Sequence, residues 1–105
     1  MNKKHKKKIL LKLLTAVKKV EIVPEEHDGD VKKAAANRTA TCINILHPYA
    51  DLFDDTFRKK VLTFMMIGRA AEEGDTASFT KLEPMIEPIY ALILETLEKM
   101  IRKLG

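Results

Sequence analysis

The stretch LEPMIEPIYALILETLEKMIRKL, residues 82–104, decides the fold. Turning the chain by about 100° per residue puts Leu82, Met85, Ile86, Ile89, Ile93, Leu97, Met100 and Leu104 on one face, the signature of an amphipathic helix. Tyr90, Leu94 and Ile101 widen that stripe on one side and Leu92 on the other. The polar face pairs Glu95 with Lys99 and Glu98 with Arg102 in the favourable i, i+4 order. Arg102 and Lys103 complement the negative end of the helix dipole. Thr80 and Glu83 have the spacing of a capping box, which places the start of this helix near Thr80, although Pro84 and Pro88 interrupt it and a straight segment beginning at Pro88 is the alternative.

Reading back toward the amino terminus, a third helix is expected from a cap at Asp54 or Asp55 to about Glu73, where Gly74 stops it. Phe57, Val61, Phe64, Met65 and Gly68 share a face, but Leu62, Met66 and Ile67 are apolar on other sides. A helix apolar all round is buried all round, so it is either the centre of the bundle or a subunit contact. A second helix is expected from Asp28 or Asp30 to about Leu46, with Val31, Ala35, Thr39, Cys42, Ile45, Leu46 and Tyr49 as its stripe and Pro48 at its end. Its alanines imply a close approach to a neighbour. Arg38 at the edge of the stripe is expected to lay its methylenes on the core and extend its charge to water, the less favoured alternative being an ion pair to an acid on another helix or on a partner.

Ahead of these lies an acidic linker, residues 21–30, containing Pro24 and Gly29. A first helix precedes it, from about Lys4 to Val20, with Ile9, Leu10, Leu13, Ala16, Val17 and Val20 on one face. The fold class that follows is all-α: one domain of 105 residues, a small four-helix bundle with a long linker after its first helix. Residues 1–8, which offer nothing to bury, are expected to be a basic mobile arm.

Charge is distributed unevenly. The chain carries +4 overall, yet Lys3, Lys4, Lys6, Lys7, Lys8, Lys12, Lys18 and Lys19 occupy a head of 20 residues that holds no acid. The body is therefore mildly acidic. Lys12 interrupts the apolar run of the head and no small-x-small site follows it, which argues against a signal peptide. No apolar run is long enough to span a bilayer. With Cys42 as the single cysteine no internal disulfide can form, so the expected compartment is the cytoplasm.

Few residues combine into chemistry. Cys42 and His47 point about 140° apart on a helix and cannot form a nucleophile–base pair. The cluster Glu25, Glu26, His27, Asp28 and Asp30 lacks the closing glutamate of a calcium loop, since the twelfth position from Asp28 is Thr39. Glu83 and Glu87 lie one turn apart without the histidine that a carboxylate-bridged metal bundle requires. Arg69–Met85 has the spacing of a helix-turn-helix, but Glu72, Glu73, Asp75 and Glu83 would then face phosphates. No catalytic residue, metal ligand or cofactor is expected, and the chain does not read as an enzyme.

The expected role is a small regulatory or inhibitory protein-interaction module that offers a helical face to another protein and self-associates as a homodimer. Leu62, Met66 and Ile67 on the third helix and Leu92, Leu94 and Ile101 on the last are the candidate interface. The alternative is sequence-tolerant nucleic-acid binding through Lys3, Lys4, Lys6, Lys7 and Lys8, whose charges could displace counterions from phosphates. A membrane surface, approached by the first helix, ranks third.

Overall fold

A computed structural model describes residues 2–105, and among these the chain is an all-α bundle without strands. Helix α1 spans Lys3–Lys19, α2 Val31–Leu46, α3 Asp55–Glu72, α4 Thr76–Leu82 and α5 Ile86–Lys103. The fourth rod of the bundle is thus made of α4 and α5, joined by a 3₁₀ turn over Glu83–Met85. Leu82, Glu83 and Ile86 keep right-handed helical geometry, so the chain tightens at Pro84 without breaking. Pro88 falls in the first turn of α5, where its missing N–H would have had no intrahelical partner.

The start expected at Thr80 is corrected by this arrangement. Asp75 is the cap: its carboxylate accepts from the Ser78 backbone N–H at 3.2 Å and from the Ser78 hydroxyl at 2.8 Å. The Ser78 hydroxyl, followed by its backbone N–H, holds the Asp75 carboxyl below its ordinary range. Thr80 is inside α4, where its hydroxyl donates to the Thr76 carbonyl. The other caps fall on one of each pair of expected acids. Asp30 receives the Lys33 N–H at 3.1 Å, and Asp54 receives that of Phe57 at 2.9 Å.

Residues 3–8, expected as a mobile arm, form the opening turns of α1 instead, while Met1 lies outside the described residues. The Asn2 side chain accepts from the His5 N–H at 2.8 Å, and lysine is a good helix former. The first turn has no acid, so Lys3, Lys4 and Lys6 oppose the helix dipole. Lys4, Lys8 and Lys12 follow at one-turn spacing, and each such like-charge pair costs roughly 0.2–0.5 kcal/mol. Burial of Leu10, Leu13 and Val17 offsets these costs.

Helix α5 is the centre of the bundle, packed on α1, α2 and α3. Ile93 and Leu97 are fully buried with Leu10, Val17, Cys42 and Thr39. Helix α3 is peripheral and packs chiefly on α4. It buries only Phe57 and Phe64, with Val61, Met65 and Ile67 half-buried, so its apolar character all round does not mean burial all round. Gly68 lies beside Leu82, and Phe53 stacks on Phe57 with ring centroids 4.7 Å apart.

Between α1 and α2 the chain makes a 3₁₀ turn over Pro24–His27 and reverses through Asp28 and Gly29, at φ 55° and 81°. Both residues adopt left-handed geometry, which Gly and Asp tolerate better than most. Among the described residues, no acid of this linker forms an ion pair with an α1 lysine.

Candidate functional site

The most constrained polar group of the bundle is Arg38. Helix α2 carries it between Ala34 and Cys42, both buried, and only about a tenth of its side chain is exposed. Its Nη2 donates to Glu87 Oε1 at 2.9 Å, and its guanidinium carbon lies 3.7 Å from the Tyr90 ring centroid. Glu87 and Tyr90 are one turn apart on α5, so the guanidinium is held at its edge by a carboxylate and across its face by an aromatic ring. The expectation that this charge would extend to water is corrected: the arginine is an internal tie between α2 and α5. Its Nε is buried without a partner. Lys32 reaches Glu83 at 3.3 Å, so each of the two glutamates read as a candidate carboxylate pair is matched by a base of α2.

Cys42 is fully buried and its Sγ lies 3.7 Å from the Val17 carbonyl. Burial pushes its thiol up to about 11, with the Arg38 charge a smaller opposing influence. His47 is exposed in the turn after α2. The structure therefore does not bring the two together. No group of three or more metal-binding side chains occurs among the described residues.

A groove of about 430 Å³ runs between α2 and the α3–α4 corner. Asn37, Thr41 and Asn44 form its α2 wall, Met65 and Arg69 its α3 wall, and Phe79 closes it from α4. Sequence reasoning had no sign of it, because it forms between elements that are distant in the chain.

The candidate interface residues fall into two groups. Leu92, Leu94 and Ile101 pack against the core cluster, as does Ile67. Leu62 and Met66 stand 58% and 64% exposed on the outer face of α3. At helical spacing Lys59, Leu62, Met66, Ala70 and Glu73 form one stripe there, opposite Phe57 and Phe64.

The candidate lysines are also divided. Lys3, Lys4 and Lys8 are exposed, whereas Lys6 and Lys7 are half-buried. Lys12 and Lys19, outside the candidate set, share the exposed face with Lys4 and Lys8. Lys18 alone among the α1 lysines forms an ion pair in the described residues, with Glu98 at 3.7 Å. No helix of the described chain is long and apolar enough to cross a membrane. The chain matches no family model, no curated protein and no solved structure.

Proposed function

We propose that the protein is a small interaction module, regulatory in role, that docks helical faces on other proteins and pairs with a second copy of itself through α3. The stripe from Lys59 to Glu73, exposed except at the half-buried Ala70, carries this reading. A large apolar pair displayed on the side away from the core is costly to leave in water and useful to cover. The stripe is also self-complementary. In an antiparallel pairing about a two-fold axis at Met66, Leu62 meets Ala70 of the other copy and Lys59 meets Glu73.

Charge reversal tests the pairing. Lys59→Glu or Glu73→Lys alone should weaken the dimer, and the double variant should restore it. If the double variant is as weak as the sum of its parts, this register is wrong.

A further inference from the structure

We infer that the outer face of α1 is a docking surface for the phosphate backbone of double-stranded nucleic acid. The face consists of Lys4, Lys8, Lys12 and Lys19, with Leu11 and Thr15 between them, all exposed. It lies opposite Leu10, Leu13 and Val17, which anchor the helix in the core. The surface is therefore a rigid array and not a loose tail. At 1.5 Å per residue it extends roughly 22 Å from Lys4 to Lys19.

Three observations select the occupant. First, the described residues give no acid within ion-pair distance of these four lysines. Lysines stacked a turn apart repel one another, and an external anion bound along the face lowers that repulsion. Second, a duplex offers closely spaced phosphates along such a span, with a counterion atmosphere to release. Third, the apolar face that a membrane-surface helix would bury in lipid is already buried in the bundle. Leu11 is the one large apolar side chain left on the outer side. The helix contains no arginine and no Phe, Tyr or Trp, its one ring being the His5 imidazole in the first turn, so it lacks the planar fork that favours base reading and the row of rings that stacks successive unpaired bases. Recognition is of the duplex backbone, tolerant of sequence. The footprint differs from the one expected at residues 3–8, since it omits the half-buried Lys6 and Lys7 and the exposed Lys3, which helical rotation places off this face, and takes in Lys12 and Lys19.

The test is fluorescence anisotropy of a short random-sequence DNA duplex across a salt series. The wild type should bind, with a log–log salt slope of about 0.9 for each phosphate contacted. The variant Lys4→Gln, Lys8→Gln, Lys12→Gln, Lys19→Gln should bind about a hundredfold more weakly at low salt, its slope reduced by about 3.6. A control with Lys60→Gln, Lys81→Gln, Lys99→Gln and Lys103→Gln, all exposed and outside the α3 pairing stripe, has the same net charge and should bind nearly as the wild type does. Amine labelling of the wild type, read by mass spectrometry, gives a second measurement independent of any variant. Lys8, Lys12 and Lys19 should be protected by duplex while Lys81 and Lys103 are not. Absence of binding at low ionic strength overturns the inference, as does equal loss in the two variants. Binding to phosphatidylserine vesicles without binding to duplex overturns it in favour of a lipid surface.

Discussion

Arg38 and Glu87, 49 residues apart in the chain, meet at 2.9 Å, with the buried end of the pair on α2 and the solvated end on α5. The asymmetry has an energetic consequence. Removing Glu87 leaves a guanidinium that keeps its Tyr90 contact and can draw water through the opening, whereas removing Arg38 leaves a hole in the helix contact. Arg38→Ala should cost about 2 kcal/mol or more. Glu87→Ala should cost less than about 1 kcal/mol, as for other partly exposed pairs. Arg38→Met, which keeps most of the volume, should lie between them. Urea unfolding of the three variants checks the order.

The Cys42 thiol should resist modification in the folded protein and react once urea exposes it. Its stability contribution has a definite sign with pH. The folded thiol titrates near 11 against 9.0 when free, so the folded state holds its proton over that window and the unfolded state does not. The contribution is intact below pH 9.0 and is lost as pH rises toward 11. The stability difference between wild type and Cys42→Ala should shift by about 2–3 kcal/mol against the wild type over this range. A difference that stays constant with pH would show that the thiol is not desolvated.

Gly68 lies inside α3, and a methyl group there would stand 3.9 Å from a Leu82 methyl, an ordinary contact. Gly68→Ala should therefore stabilise by about 0.5–1 kcal/mol, since it removes backbone freedom from the unfolded chain without a clash. A melting temperature raised by a few degrees is the expected result, and a lowered one would mean that α3 and α4 pack more closely.

How much of this was readable beforehand differs from element to element. The α5 stripe was legible because Ile86, Ile89, Ile93 and Leu97 repeat at the helical period and are all buried. The start of α4 was misread because Thr80 and Glu83 imitate a capping box, while Asp75 caps through Ser78 three residues on. Local spacing offers two caps, and the turn at Gly74 decides between them. The Arg38 tie was legible only as the less favoured of two readings, since nothing local indicates which acid of another helix it meets. The outer faces were legible only in part. Periodicity identified the apolar excess of α3 and α5 alike, but packing covers Leu92, Leu94 and Ile101 and leaves Leu62 and Met66 exposed.

Docking of α1 rests on Leu10, Leu13 and Val17. Leu13→Ala should destabilise the whole bundle by about 3 kcal/mol in one cooperative transition. Loss of helicity limited to a small separate phase would show that α1 is held independently of the other helices.

On the proposed reading, a second copy of the chain covers the outer face of α3. Light scattering coupled to size exclusion, run from low to high micromolar concentration, tests it most directly. The wild type should approach twice the chain mass of 11.9 kDa as concentration rises. Met66→Glu, which places a charge on the axis at a solvent-exposed site of the monomer, should remain at 11.9 kDa with an unchanged circular dichroism spectrum. A wild-type protein that stays at 11.9 kDa throughout the range would rule out self-association through α3.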